Sequence, residues 1–492
     1  MLRRLILQSS HYTIGSLLVT LAGIVSFPIF TRTFTVADYG ALSLVSSLLL
    51  FWTGIGKLGV QHSIARFHAE VVAGRRGISE GAYVTTVLLG MGATGAAAVA
   101  GWLLMALAVP DSWWGNPAVP ALLLPLSMLV LVRVLDSAVG NVLRAQQRSL
   151  LYASYTVARK YLSLALILLL VFHFLPGLRG FYLGTFVVEA LAAAAVAFLL
   201  YRGTRFSPGD FDVPAFRAML AFGAPMIGFE LAGIMLALGD RYVIQSMMGG
   251  EALGRYSAAA NLCDYARVVI LVSIAQAVTP IYSRMWEENG PQATRLFVER
   301  ALRLYFMIGL PLVAGMAAVG DDVLTLLATD RYSVGAPVVA LLIAGMVADG
   351  SIAILGAGIY IHKQNRRIIP WVALAAAINI SLNVALIPRF GLLAAAATTL
   401  AGYAFLAAAA WRLGARLMPL SFPWREVAKF ALLAAIMLAV VHAMPSPGRF
   451  AGLAIRIATG VAVYAALVVA FDREARGLLA AAWMRLAAAR QA

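Results

Sequence analysis

Charge is scarce in this chain and cysteine is nearly absent. Asp, Glu, Lys and Arg make up 12% of its 492 residues, about half the ~25% of a soluble domain. An ordinary water-soluble globule is therefore excluded. The one cysteine, Cys263, rules out a disulfide framework and a thiolate metal cluster. It reads as a packing residue in an apolar helix. The six histidines (His11, His62, His68, His173, His362 and His442) show no metal-ligand spacing. No Gly-rich loop ends in Lys-Ser/Thr, so the chain offers no ATP site of its own. No nucleophile elbow occurs, and no cofactor is called for. These gaps in the inventory speak against an enzyme.

What is abundant is apolar sequence, at 62% of residues. It falls into fourteen stretches, each near the ~20 residues a bilayer-spanning helix needs. The expected class is an all-α integral membrane protein with fourteen transmembrane helices. The basic residues sort into alternate gaps between the stretches. About 27 Lys and Arg fall on one side and about 8 on the other, with Lys57, Arg133 and Arg267 inside spans. Basic loops stay cytoplasmic, which places both termini inside. The loops on the opposite face are short, leaving no domain there for joining or ligating glycans. The net charge of +16 is then a topology signal rather than a nucleic-acid footprint. It also suits anionic membrane lipids as neighbours. Arg3 and Arg4 precede a long apolar run without a small-residue cleavage site. That run reads as a retained first helix rather than a secretory signal.

The chain echoes itself at an offset of about 214 residues. Asp38-Tyr39-Gly40-Ala41-Leu42-Ser43 answers Ala252-Leu253-Gly254-Arg255-Tyr256-Ser257. Gln61 answers Gln276, and Leu175-Pro176 with Gly180 answers Ile387-Pro388 with Gly391. The offset holds six spans, an even number, so both copies insert in the same direction. This predicts a parallel repeat about an axis along the membrane normal. Two pseudo-symmetric six-helix lobes are expected, at 1–207 and 208–420, with two extra helices and a tail at 421–492. The polar, Pro-bearing stretch 202–217 reads as the inter-lobe linker. Doubling of this kind suits a transporter, whose two lobes rock about a cleft.

Ionisable side chains inside spans cost about 2.5–3.5 kcal/mol each on insertion scales, so they mark candidate function. Arg133 and Asp136, and Asp264 and Arg267, sit at spacings that share a helix face. Each pair either neutralises itself or lines a wet cleft where the Arg meets an anion. Lys57 has no carboxylate near it in sequence and either snorkels or contacts an anion. Glu189, Glu230 and Asp349 lack a local base. Each is expected to pair across helices or to take up a proton or Na⁺.

The run 379–400 (Asn-Ile-Ser-Leu-Asn-Val-Ala-Leu-Ile-Pro-Arg-Phe-Gly-Leu-Leu-Ala-Ala-Ala-Ala-Thr-Thr-Leu) resembles a helix 11–12 hairpin of the Wzx-type oligosaccharide flippases. These belong to the polysaccharide transporter family of the MOP exporter superfamily. Phe27-Pro28-Ile29-Phe30-Thr31-Arg32 with Asp38-Tyr39-Gly40 is similar to that family's first turn. Leu143-Arg144-Ala145-Gln146-Gln147-Arg148 is similar to its helix 4–5 turn. The resemblance implies a flippase for undecaprenyl-diphosphate-linked oligosaccharide units in surface polysaccharide biosynthesis. It implies alternating access in the bacterial plasma membrane, with other polysaccharide assembly proteins as partners. The alternatives are a cation-coupled small-molecule exporter or a peptidoglycan-precursor flippase of the same superfamily. On this reading Lys57, Arg32, Arg133, Arg267, Gln61 and Gln276 contact the diphosphate or sugar. Glu230, Asp264 and Asp349 couple transport to H⁺ or Na⁺.

Overall fold

The computed structural model describes residues 2–114, 116–204, 207–444 and 449–477. Among them every regular element is a helix. The first half carries α1 (Leu2–Thr33), α2 (Val36–Lys57), the short α3 (Ile64–Val72), α4 (Glu80–Ala108), α5 (Ala118–Ala145), α6 (Ser149–Leu169) and α7 (Leu178–Thr204). Then follow α8 (Val213–Arg267), α9 (Ser273–Leu327), α10 (Ala336–Leu355), the single-turn α11 (Ala357–Ile361), α12 (Ile369–Ala415), α13 (Trp424–Ala443) and α14 (Arg449–Phe471). Of the cations used to read sidedness, Arg3, Arg4, Arg205, Arg449, Arg485 and Arg490 have side chains outside the described residues.

Twelve of these helical segments are long and apolar enough to cross a membrane. The chain is a multi-pass helical membrane protein. Three segments, 213–271, 278–327 and 365–415, hold 59, 50 and 51 residues, more than twice the ~20 of one crossing. Each contains a glycine with non-helical, positive φ: Gly249 at 82°, Gly290 at 79° and Gly391 at 58°. Only glycine adopts that backbone cheaply, so each break is written in the sequence.

Local chemistry sets the other helix ends. Thr35 caps α2 by accepting from the Asp38 amide at 3.1 Å, and Asp38 stands in the first turn where the helix dipole favours an anion. Ser79 caps α4 through the Ala82 amide at 3.0 Å. α2 stops at Leu58, whose φ of 44° is left-handed, and Gly59 continues the turn at 73°.

The chain packs as two compact units. One comprises Met1–Ala258 with Arg366–Gly402. Its core sets Val60, Ile64 and Phe67 against Val84, Val87 and Met91 of α4 and Val134, Val142 and Leu143 of α5. The Trp102 indole donates to the Leu123 carbonyl at 2.7 Å, tying α4 to α5. The two limbs of α12 around Gly391 are joined by a buried ladder. Asn383 donates to Asn379 at 3.0 Å, and Thr398 donates to Asn383 at 2.6 Å. In a bilayer, side-chain hydrogen bonds of this kind hold helices together where apolar contact cannot discriminate.

The second unit comprises Ala259–Asn365 with Tyr403–Ala492. α10 lies against α9, with the Tyr305 hydroxyl donating to the Val347 carbonyl at 2.8 Å. At the near end of α13 and just past α14, Arg303 of α9 binds Glu426, Asp472 and Glu474. Lys429 reaches Glu426 and Asp472, each at 2.6 Å. Arg456 of α14 binds Asp322 at 2.8 Å. α13 and α14 are thus pinned to α9 by charge at two levels.

Candidate functional site

The left-handed exit of α2 brings its backbone against the first limb of α8. A Cβ built on Gly59 would lie 2.2 Å from the Gly223 carbonyl oxygen, and one on Gly223 would lie 2.3 Å from the Gly59 oxygen. Neither position admits a side chain. Two turns on from Gly223, Glu230 meets Lys57. Lys57 Nζ donates to one oxygen of Glu230 and Gln61 Nε2 to the other. His62 Nε2 stands 3.5 Å from that second oxygen. The Lys57 and Glu230 side chains are 14% and 21% exposed. Three residues singled out from sequence, Lys57, Gln61 and Glu230, therefore form one cluster. In this arrangement Glu230 occupies the cation that an anionic ligand would need. Either a competing anion at Lys57 or a proton on Glu230 would open the pair. Leu58, strained at positive φ beside it, is a non-glycine residue in a conformation typical of functional sites.

A second cluster lies in the other unit. Arg267 donates from Nε and Nη2 to one Asp264 oxygen at 3.0 and 2.7 Å, and from Nη1 to Asp349 at 3.2 Å. The sequence spacing of Asp264 and Arg267 does produce the expected pair, and Asp349 joins it from α10. One cation faces two carboxylates, so the cluster carries a net negative charge while both are ionised. The helix loosens into a π turn at Val268–Val272 immediately afterwards. Such turns are rare and concentrate at functional positions.

The other intramembrane pair is rearranged relative to its spacing. Arg133 turns away from Asp136 and binds Glu189 of α7, at 2.9 Å from Nε and 3.3 Å from Nη2. Asp136 instead holds Arg159 and the Tyr155 hydroxyl of α6. Arg32 is exposed in the last turn of α1. The side chain of Gln276 lies outside the described residues.

Four participants escaped the sequence reading. In the sequence His62 counts only among the histidines without metal-ligand spacing, and Arg159 only among the basic residues of the cytoplasmic gaps. Asp240 is buried, accepting from Tyr256 and from Thr399, the latter at 3.4 Å. Its neighbour Arg241 keeps Nε and Nη1 buried with no protein acceptor among the described residues. In the sequence Arg241 counts only among the basic residues of the outer gaps. The signal that would have found it is the unbroken apolar pattern on both sides of it.

The comparisons with known proteins agree with this architecture. The family model described as "Polysaccharide biosynthesis protein" matches residues 6–286. The amylovoran biosynthesis protein AmsL of Erwinia amylovora is 27% identical over 205 residues. That alignment covers 41% of this chain, which spans about half (48%) of the relative's length. Among solved structures, the lipid II flippase MurJ in an inward closed conformation superposes with a TM-score of 0.76, at 14% identity. It covers 95% of this chain and 99% of that one. An inward-facing multidrug resistance MATE family transporter of the MOP superfamily gives 0.67 at 14% identity, over 84% and 95%. At such identities the likeness establishes the fold, one common to MOP-superfamily transporters. The sequence match over more than half its length establishes the lineage: the chain belongs to the polysaccharide biosynthesis protein family.

Proposed function

We propose that this protein carries undecaprenyl-diphosphate-linked oligosaccharide units from the inner to the outer leaflet of the plasma membrane. The observation that carries the reading is the family match over residues 6–286, supported by a relative whose name places it in amylovoran biosynthesis. The fold is shared with a lipid II flippase and a multidrug transporter, so it is compatible with the alternatives and does not choose among them. A glycan exposes many hydroxyls, each costing roughly 2–7 kcal/mol to bury unpaired, so crossing requires a polar route. The lipid tail has no such need. The extra helices α13 and α14, pinned to α9, suit a groove for it.

With 250–289 counted as one crossing that runs through the π turn at Val268–Val272, the breaks at Gly249, Gly290 and Gly391 divide the long segments into fourteen crossings, with both termini cytoplasmic by the charge argument. Residues 1–207 and 208–420 form the two moving lobes and 421–492 the appended pair. The contacts of α2 with the first limb of α8 at Gly59–Gly223 and with its second limb at Gly40–Gly254 suit alternating access. Opening to either side parts one contact and keeps the other. Lys57 and Gln61 receive the diphosphate in the state where Glu230 has let go. An inside-negative potential favours outward movement of that anion by about 2.3 kcal/mol per charge per 100 mV, without ATP.

The test is reconstitution of the purified protein in liposomes with a fluorescent lipid-linked oligosaccharide, read by its accessibility to an impermeant quencher. Exchange between leaflets above protein-free liposomes is expected. Exchange of a cationic drug in place of the lipid-linked glycan would replace this reading with the exporter one.

A further inference from the structure

Away from the Lys57 cluster, the α5–α6 hairpin lines a half-open cavity of about 200 Å³. Its α5 wall carries Asp136, Asn141 and Arg144, and its α6 wall carries Tyr152, Tyr155 and Arg159. Ser137 and Thr156 complete the polar lining, and Gly140 is the one residue there without a polar side chain. Both sets recur at helical spacing, so two polar stripes face each other across an antiparallel hairpin. From Arg144 to Asp136 the wall runs about 12 Å along α5 at 1.5 Å per residue. The lining groups pair with one another, so the open space between them is polar and suits a polar occupant.

We propose that this cavity is a binding site for a single sugar ring, the part of a lipid-linked glycan nearest the α5–α6 turn. The proposal rests on the transport reading above. The lining offers both halves of what vicinal hydroxyls require. The acceptors are Asp136, Asn141, Ser137 and Thr156. The donors are Arg144, Arg159 and the Tyr152 hydroxyl. Asp136 is already fixed from two sides, by Arg159 and the Tyr155 hydroxyl. Asn141 is fixed by Ser137, to whose carbonyl it donates at 2.7 Å, and by Arg144, which donates to it at 2.8 Å. The Arg144 guanidinium lies 5.1 Å from the centre of the Tyr152 ring, and Tyr12 packs against that ring at 5.7 Å. The site is therefore pre-organised, the condition for selective recognition of hydroxyls. The wall carries one carboxylate against two arginines, so phosphate is the competitor that separates recognition of hydroxyls from simple anion binding. The volume is below the ~300–1,000 Å³ of drug-sized pockets, which fits one ring rather than an oligosaccharide.

The experiment is saturation-transfer NMR on the purified full chain in a detergent without sugar headgroups. The probes are glucose, galactose, mannose and N-acetylglucosamine, with inorganic phosphate as competitor. At least one hexose is expected to receive saturation at its ring protons. Asn141→Ala and Thr156→Val should each reduce it by about fivefold, the effect of one net hydrogen bond. Arg476→Ala and added phosphate should leave it unchanged. No transfer to any of the four sugars, equal transfer in the two cavity variants, or displacement by phosphate overturns the site. A wild type that flips lipid-linked glycan but shows no sugar contact sinks this inference alone. A wild type that binds hexose here and flips no lipid-linked glycan sinks the transport reading instead.

Discussion

Gly40 and Gly254 make the same contact, each against the other's helix. A Cβ on Gly40 would lie 2.1 Å from the Gly250 carbonyl oxygen, and a Cβ on Gly254 would lie 2.0 Å from that of Val36. In the repeat, Gly254 is the counterpart of Gly40 and Gly250 is the counterpart of Val36. Position i thus meets j′ while i′ meets j, the signature of an isologous contact about a two-fold axis. The sequence echo expects a two-fold relation of this kind; the direction of its axis along the membrane normal rests on the even number of spans per copy alone.

Replacing either glycine by valine forces the two backbones apart. Gly40→Val and Gly254→Val are expected to destabilise by similar amounts, in the ~1–3 kcal/mol range of overpacking. Gly233→Ala, whose Cβ would meet nothing within 4 Å, is the control. Thermal unfolding in detergent reads all three. A tolerated Gly254→Val beside a damaging Gly40→Val would argue against the pseudo-symmetry.

The Lys57–Glu230 pair supplies a second expectation. Removing one partner of a buried pair strands the other, at a cost of about 3–5 kcal/mol when fully buried. Partial exposure here lowers that figure. Lys57→Gln and Glu230→Gln should each lower the unfolding temperature, and the double variant should recover part of the loss. In liposome flipping, Lys57→Ala and Arg267→Ala should impair rate well beyond Arg476→Ala at matched protein levels. Additive losses in the double variant would show that the pair does not act as a unit.

The two clusters also mark where sequence reading succeeds and stops. The run holding Asn379, Asn383 and Thr398 was legible as a hairpin through its resemblance, because its contacts are local; the buried ladder within it comes from the structure. The helix breaks at Gly249, Gly290 and Gly391 fall on glycines that the sequence reading does not single out as breaks. The partner of Lys57 lies 173 positions away, and nothing local encodes that distance. Arg133 shows the opposite failure. Asp136 shares its helix face, yet Glu189 and Arg159 from neighbouring helices outcompete the local pairing. Spacing identifies which side chains are expensive in a membrane. Only tertiary packing decides which of them neutralise one another.

Outside the spans, the clasp at Asp472 has a defined pH response. Burial alone would raise this carboxyl. Hydrogen bonds from Arg303 and Lys429 and from the Ala475 amide outweigh it and hold the group well below the usual carboxylate range. A depressed folded pKa contributes stability above the unfolded value, about 3.9, and loses it as pH falls toward the folded one. The gap in unfolding temperature between wild type and Asp472→Asn should stay level from neutral pH to about 5 and narrow only below about 4. A gap that closes near neutrality would mean that a histidine, not Asp472, governs the α13–α14 attachment.

The Arg267 cluster is where coupling to an ion gradient can be tested. Asp264 holds two of its donors on one oxygen, at 2.7 and 3.0 Å, whereas Asp349 holds one at 3.2 Å. Asp349 is the less tightly bound carboxylate and the better place for a proton to arrive and leave. Protonating it drops one bond and balances the cluster at one cation and one anion. If transport uses an ion gradient through this site, Asp349→Asn leaves lipid-linked glycan binding intact and abolishes the effect of the gradient on rate. Glu230→Gln does the same if the proton enters at Lys57. Asp264→Asn is expected to cost more stability than Asp349→Asn, since it removes the larger share of the Arg267 bonds. Potential acting on the diphosphate alone predicts a different pattern. Collapsing a pH or Na⁺ gradient at clamped voltage would then change nothing, and both carboxamide variants would retain full voltage dependence. Flipping measured in liposomes with voltage and ion gradients set independently separates the two. A gradient effect that survives in both Asp349→Asn and Glu230→Gln removes these carboxylates from the coupling.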